Sequence, residues 1–169
     1  MANTPVVSIV MGSDSDLETM KESAAILKKF GVAHEVRVLS AHRSPNLMAD
    51  YVKEAERAGV KVFIAGAGAA AALPGAVAAL TSRPVLGVPL PSSHLQGLDA
   101  LLAIAQLPAG TPAATLAIGV PGARNAAYLA VQILGVADTA LHAAYAAFKA
   151  EQERVIGARD ADVRAKHSG

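Results

Sequence analysis

The sequence predicts a three-layer α/β fold built on a doubly wound parallel sheet, and three observations carry this prediction. Short, apolar, β-branched runs alternate five times with helical patterns along the chain. Glycine and proline separate the two kinds of segment. With 169 residues, the chain is long enough for one such domain and its core. Alternation of this kind places helices on both faces of a parallel sheet.

The first half of the chain supplies three strands and two helices. Residues 5–11 form an apolar run typical of a buried parallel strand. The spacing Ser15-x-x-Glu18 is that of a capping box, and Gly31 and Gly59 are expected to end the two helices. The predicted strands span residues 5–11, 33–39 and 60–65, and the predicted helices span residues 17–30 and 45–58.

The second half repeats the alternation. Its predicted strands span residues 84–88 and 114–118, and its predicted helices span residues 69–80, 95–105, 123–134 and 138–155. The order of elements is that of a flavodoxin-like sheet with an extra C-terminal helix. Residues 157–169 are charged and lack an apolar period. We therefore expect a single domain over residues 1–156, including the last helix, followed by a flexible tail over 157–169.

Composition limits the classes of partner. Hydrophobic residues make up 53% of the chain and charged residues 17%, with alanine as the main contributor. So much apolar surface on a small chain predicts a homo-oligomer, with the last helix as a candidate arm that packs on a neighbour. A net charge of +1 without a basic cluster argues against nucleic acid.

Other classes of protein are disfavoured by what the sequence lacks. It contains no cysteine, which excludes disulfides and thiolate metal sites. No His or carboxylate spacing typical of a metal site occurs, so we expect no metal. Because there is no long apolar run and no signal-peptide pattern, we expect no membrane association and a cytoplasmic location.

The turn from Gly12 to Asp16 follows the first strand and opens a helix. Its serines and aspartates are interpreted either as ordinary helix caps or as a cradle for a phosphate or sugar. In the second interpretation, Ser13 and Ser15 offer hydroxyls. Asp16 repels phosphate and suits ribose hydroxyls better.

Ser40, His42 and Arg43 follow the second strand, and Ser44-Pro45 then opens a helix as N-cap and first helical residue. A plain exposed loop is the alternative interpretation. Arginine forms bidentate contacts to phosphate, and a serine hydroxyl adds a further bond. Histidine titrates near neutral pH, which suits proton transfer. Because ligands bind at the carboxyl ends of parallel strands, the two turns predict one site.

A third candidate is Gly66-Ala67-Gly68, after the third strand. It is interpreted either as a turn that needs positive φ or as backbone that closely approaches a flat ligand. A dinucleotide site is disfavoured, because no acidic residue follows at the required distance. His94 lies in the loop after the fourth strand, at the same sheet edge, and is a weaker candidate.

A series of motifs along the chain resembles the class I PurE family, the N5-carboxyaminoimidazole ribonucleotide mutases. The shared motifs occur in order over about residues 6–135, and their number makes the resemblance specific. They are the segments 11–16, 40–45, 64–68, 73–75, 85–89, 97–101, 106–108 and 125–127.

The resemblance implies a cofactor-free enzyme of purine biosynthesis, assembled as a flavodoxin-like octamer with sites between subunits. It implies that Ser13 and Asp16 bind the ribonucleotide, that Ser15, Ser40 and Arg43 hold phosphate, and that His42 is the general acid and base. Gly12 and the backbone of residues 66–68 complete the implied substrate-binding set.

Two residues depart from the family pattern. Ala69 stands where the family has glycine, and Ala72 stands where it has histidine. Two alternatives to the mutase stay open, and Ala72 bears on the second of them. One is an aminoimidazole ribonucleotide carboxylase that uses free carbon dioxide, although class II relatives read Ala-His-Lys where this chain has Ala41-His42-Arg43. The other is a catalytically impaired nucleotide-binding homologue.

Overall fold

The structure, a computed structural model, describes residues 4–167. It contains five strands and six α-helices within that range, plus one 3₁₀ turn at Asp14–Asp16. The strands are β1 (Val7–Met11), β2 (His34–Val38), β3 (Val62–Gly68), β4 (Val85–Leu90) and β5 (Ala114–Thr115). The helices are α1 (Leu17–Lys29), α2 (Pro45–Ala58), α3 (Ala72–Ala78), α4 (Leu98–Ala105), α5 (Val120–Gly135) and α6 (Thr139–His167).

All strand pairs are parallel, and the sheet order is β2-β1-β3-β4-β5. The order reverses beside β1, which creates a switch point between β1 and β3. The register aligns Met11 with Val38 on one side and with Gly66 on the other. The carboxyl ends of these three strands therefore lie together, and the loops that follow them share one edge of the sheet. The α/β prediction is confirmed.

Both faces of the sheet are covered. Helices α2, α3 and α4 pack on one face, around Phe63, Ala65 and Val10 of the strands. On the other face, α1 lies beside the first part of α5, where the Ser23 hydroxyl donates to the Ala123 carbonyl at 2.6 Å. These contacts complete the three predicted layers.

A buried polar group ties α2 to the sheet. Tyr51 of α2 is 7% exposed, and its hydroxyl bonds with Ser8 of β1 and donates to Glu35 Oε1 of β2 at 2.8 Å. Arg37 lies over the Tyr51 ring, 4.3 Å from its centre. Burial raises the pKa of Tyr51 well above its ordinary range, so the phenol stays neutral and keeps donating. The network holds α2, and hence the loop before it, against β1 and β2.

Three helices begin at other residues than predicted. Helix α3 begins at Ala72 instead of residue 69, and α5 begins at Val120 instead of residue 123. Helix α1 begins at Leu17 as predicted, but Ser13, rather than Ser15, accepts a backbone bond at the start of the 3₁₀ turn before it. Helix α4 begins at Leu98 instead of residue 95, because Gln96 and Gly97 have φ values of +53° and +89°. Left-handed residues cannot belong to a right-handed helix.

Strand β5 is shorter than predicted. It has two residues, Ala114 and Thr115, which pair with Leu86 and Gly87. Beyond them, Leu116 still donates to the Gly87 carbonyl at 2.9 Å, but the chain leaves the ladder. The predicted continuation to residue 118 is wrong.

The chain divides into two compact units between Ala130 and Val131. In the second unit, the end of α5 approaches α6 closely, since a Cβ on Gly135 would lie 3.3 Å from the His142 backbone nitrogen. Gln132 donates to the Tyr145 hydroxyl at 3.0 Å across the same pair of helices. The prediction of one domain over residues 1–156 stays a prediction.

Helix α6 is longer than predicted. It does not end near Val155 but continues to His167, so most of the expected tail is helical. The last two residues of that tail lie outside the described residues. Ion pairs within α6 accompany its polar surface, as between Arg154 and Glu151 at 2.6 Å. No helix within residues 4–167 has the length and hydropathy needed to cross a membrane.

Candidate active site

A cleft of about 290 Å³ lies at the carboxyl ends of β1, β2 and β3. It is lined by residues from four loops that the sheet brings to this edge. The lining consists of Gly12, Ser13, Ser15, Asp16, Ser40, Ala41, His42, Arg43, Ala67, Gly68, Ala71, Ala72, Leu73 and Ser92. Every residue singled out in the sequence as a site candidate is among them, with the exceptions of Gly66 and His94.

The first loop presents a pair of hydroxyls. Ser13 has extended backbone angles, and its Oγ accepts bonds from the Ser15 backbone nitrogen at 3.3 Å and from the Ser15 hydroxyl at 2.9 Å. These bonds fix both side chains at the mouth of the 3₁₀ turn. The two serines are therefore positioned to bind polar groups of a ligand.

Arg43 connects the first loop to the second. Its Nη2 donates to the Gly12 carbonyl at 2.7 Å, and its Nε donates to Ser40 Oγ at 3.4 Å. The Arg43 backbone nitrogen also donates to Ser40 Oγ, at 3.1 Å. A guanidinium has five N–H donors, so three remain for an anion in the cleft.

Ser44 and Pro45 begin α2 as predicted, but Ser44 does not cap the helix with its side chain. Its hydroxyl instead accepts from the Ser40 backbone nitrogen and donates to the Ser40 carbonyl, both at 3.1 Å. This closed pair of bonds fixes the loop that carries His42 and Arg43.

His42 is exposed, and its side chain lines the cleft. Within residues 4–167 its ring makes no hydrogen bond, so both ring nitrogens are open to a ligand. His42 is also the one histidine among the described residues that line the cleft. Any proton transfer from an imidazole in this cleft therefore falls to His42.

Asp16 is partly buried beside these groups. Burial raises the pKa of its carboxyl, while a bond from the Ser13 backbone and the Arg43 charge lower it and the Asp14 charge raises it. The raised pKa means that the fold favours the protonated acid. This contribution to stability is present below the ordinary pKa and is lost as pH rises through the raised value. The ionised carboxylate is thus held at a cost to stability, as is common for functional groups.

Of the two interpretations of Gly66-Ala67-Gly68, the turn that needs positive φ is wrong. Gly66 and Gly68 belong to β3, and neither has a positive φ. A Cβ on Gly66 would lie 2.5 Å from Met20 Sδ of α1, and one on Gly68 would overlap the Ser92 side chain. Both glycines serve close packing. Ala67 and Gly68 reach the cleft, whereas Gly66 does not line it.

The left-handed residues of this loop are alanines. Ala69 has φ +49° and Ala71 has φ +46°. This conformation costs an L-residue about 1–2 kcal/mol. Strain of this kind is often found at active sites, and both residues flank the wall of the cleft.

Replacing Ala69 with glycine is expected to stabilise the chain by about 1 kcal/mol, because glycine adopts positive φ freely. Urea unfolding of the full chain measures the change. Ala70→Gly is the matched control, since Ala70 is equally exposed but has no positive φ. It is expected to lower stability slightly. A lower free energy of unfolding for Ala69→Gly would contradict the inference that the positive φ of Ala69 strains the backbone.

The sequence analysis missed several lining residues, among them Ala41, Ala71, Leu73 and Ser92. Ser92 follows β4 at the same sheet edge, and this position in the sequence could have predicted that it lines the cleft. The neighbouring candidate, His94, is exposed and does not line the cleft. Apolar lining residues carry no sequence signal that separates them from core residues.

A second hollow of about 320 Å³ adjoins the cleft. It shares four residues with the cleft and adds Asp14, Val38 and Ser44. Arg43 is among the shared residues, so its guanidinium borders both spaces. Within residues 4–167, no cluster of three or more His, Cys, Asp or Glu side chains is arranged to hold a metal ion.

Comparison with known sequences identifies relatives over most of the chain. The profile of the family described as AIR carboxylase matches residues 6–155. A protein of Saccharolobus solfataricus named N5-carboxyaminoimidazole ribonucleotide mutase is 59% identical over 132 residues, which cover 78% of this chain and 82% of that protein. Proteins with the same name from Vibrio parahaemolyticus and Mycobacterium leprae are 54% and 50% identical. They cover 89% and 97% of this chain, and 93% and 95% of their own lengths are matched.

Comparison with solved structures agrees with the sequence comparison. The crystal structure of Treponema denticola PurE superposes with a TM-score of 0.85 and 27% identity, covering 98% of this chain and 99% of that chain. The match confirms the predicted flavodoxin-like arrangement with its extra helix. With the profile spanning most of the sequence and relatives at 50% identity or more, this chain belongs to the AIR carboxylase family.

Proposed function

We infer that this chain is an N5-carboxyaminoimidazole ribonucleotide mutase, which forms 4-carboxy-5-aminoimidazole ribonucleotide in purine biosynthesis. The observation that carries the inference is the cleft in which an open imidazole, His42, adjoins an anchored guanidinium, Arg43. Relatives of this name at 50–59% identity support it.

In the first half of the reaction, the His42 imidazolium donates a proton to N5 of the carbamate. The N5–carboxylate bond breaks, its electron pair stays on nitrogen, and carbon dioxide is released beside aminoimidazole ribonucleotide. One positioned acid of this kind contributes about 10²- to 10⁴-fold to a rate.

In the second half, C4 of the aminoimidazole attacks the carbon of the released carbon dioxide. Neutral His42 then removes the C4 proton, which restores the aromatic ring and returns the histidine to its starting form. The side chains of the lining alanines and of Leu73 make that wall apolar, which suits a neutral, apolar gas. Holding the gas near C4 accelerates its capture through proximity.

The remaining lining residues bind the substrate. We propose that Ser15, Ser40 and Arg43 hold the phosphate, that Ser13 and Asp16 bind the ribose, and that Gly12 shapes the turn between them. We further propose that the backbone of Ala67 and Gly68, which line the cleft, hydrogen-bonds the migrating carboxylate. Gly66 is left out of this set because it packs against α1.

Two incubations test the reaction. The protein is given either the carbamate substrate, or aminoimidazole ribonucleotide with bicarbonate, at equal concentrations. A mutase converts the carbamate without added bicarbonate. Faster turnover of the second mixture would favour the carboxylase, and turnover of neither would favour an impaired homologue.

We also propose that the chain assembles as a homo-oligomer, in the family's octameric form. Leu98 and Leu102 support this, because they lie four residues apart on α4 and are 49% and 48% exposed, and Leu95, just before the helix, is 61% exposed. Such an apolar stripe is typical of a contact between chains. Because its proposed substrate is a charged, phosphorylated intermediate that cells retain, we place the protein in the cytoplasm.

Ending the chain after Gly135 is expected to reduce assembly size and activity. The cut removes α6, whose Ile156 and Val163 are 60% and 57% exposed. Light scattering coupled to gel filtration measures the assembly before and after the cut. A fully active monomer of 17.1 kDa from the intact chain would refute the proposed assembly.

A further inference from the structure

When His42 is neutral, the cleft and the hollow beside it carry more negative than positive charge. Among the described residues that line them, Arg43 is the one permanent cation, whereas Asp14 and Asp16 are both carboxylates. The substrate of the proposed reaction brings a phosphate monoester with a charge of about −1.5 to −2 at neutral pH. The phosphate therefore meets an excess of its own sign.

Asp14 is fixed close to the phosphate-binding cation. Ser13 Oγ donates to Asp14 Oδ1 at 3.2 Å, and Arg43 bonds to the carbonyl of Gly12, two residues before Asp14. Asp14 and Arg43 both line the second hollow. A phosphate that binds Arg43 in this hollow thus shares the space with Asp14.

The charge of Asp14 is also felt inside the cleft. Burial is the main cause of the raised pKa of Asp16, and the Asp14 charge adds to it. This is the smallest of the four causes, but Asp16 lines the cleft, so the Asp14 charge acts on a group that borders the space for a ligand. A phosphate in that space has the same sign of charge as Asp14.

We propose that Asp14 determines phosphate affinity by opposing Arg43. Its repulsion weakens the hold on any phosphorylated ligand and thereby eases release of the product, which bears the same phosphate as the substrate. This inference rests on the proposed function for the identity of the ligand. A purely local role also exists, since an acid in the first turn of a helix interacts favourably with its dipole. Removing the acid from that local role would lower stability but would not increase the affinity for a ligand.

Asp14→Asn tests the repulsion with ribose 5-phosphate as the probe, titrated by calorimetry into the full chain. We expect the Kd to fall about three- to tenfold at low salt. The gain should shrink as salt rises, because screening shortens the Debye length from about 30 Å at 0.01 M to about 8 Å at 0.15 M. Asp50→Asn is the matched control, as Asp50 is exposed on α2 and lines neither space.

Asp14→Ser is the second variant, because serine also suits a helix start and is expected to preserve the fold. An effect seen in both variants is then due to the lost charge. Unchanged or weaker binding in both variants would overturn the proposal. With the carbamate as substrate, the variants should lower KM more than they change kcat. If the wild type does not turn over the carbamate but both variants still bind ribose 5-phosphate more tightly, the proposed reaction is wrong and the role of Asp14 stands.

Discussion

Asparagine in place of His42 is expected to lower kcat by about 10²-fold or more while leaving substrate affinity largely unchanged. The amide has a similar size and polarity but cannot donate and recover a proton. No other imidazole lines the cleft among the described residues, so no neighbouring histidine replaces it. Steady-state kinetics with the carbamate measures kcat, and calorimetry with ribose 5-phosphate measures binding.

His94→Asn is the matched control for this substitution. His94 follows β4 at the same sheet edge but is exposed outside the cleft lining, so its variant should retain full turnover. A His42→Asn enzyme that keeps more than about a tenth of the wild-type kcat would remove His42 from acid–base catalysis.

Lysine in place of Arg43 is expected to weaken phosphate binding by about 1–3 kcal/mol, or roughly five- to 150-fold in Kd. An ammonium group lacks the planar pair of donors that matches a phosphate. It also cannot bond to the Gly12 carbonyl and Ser40 Oγ while facing a ligand with two further donors. Titration with ribose 5-phosphate measures the loss.

Two comparisons separate recognition from general damage. Arg57→Lys makes the same exchange at an exposed position in the last turn of α2, away from the cleft, and should not alter binding. The thermal midpoint of the Arg43 variant shows whether the loops stay folded. An unchanged Kd would exclude Arg43 from the phosphate site.

The site was predictable where polar residues interrupt apolar strands. Ser40, His42 and Arg43 could be placed at a strand end because a β-branched run precedes them and Ser-Pro follows. Parallel pairing then brings that loop beside the one at Ser13. The local sequence patterns and the parallel topology both place these loops at the carboxyl edge of the sheet. This part of the site could therefore be predicted from the sequence.

Other features depend on contacts between segments distant in sequence. The packing of Gly66 is decided by Met20 of α1, and that of Gly68 by Ser92, so a glycine-rich pattern alone suggested a turn. The length of α6 was missed for a different reason. Apolar periodicity reports a buried face, whereas α6 has no buried residue in the described chain and relies on residues with good helix propensity.

The anchoring of Arg43 lowers the conformational-entropy cost of binding a ligand. A free arginine side chain populates many rotamers, and immobilising such a side chain costs about 0.5–1.5 kcal/mol. Here the Gly12 carbonyl and Ser40 Oγ hold the guanidinium before any ligand arrives. Most of that conformational entropy is lost during folding rather than during binding. The anion therefore binds a guanidinium that is already ordered. The side-chain entropy of Arg43 is not lost again in each turnover.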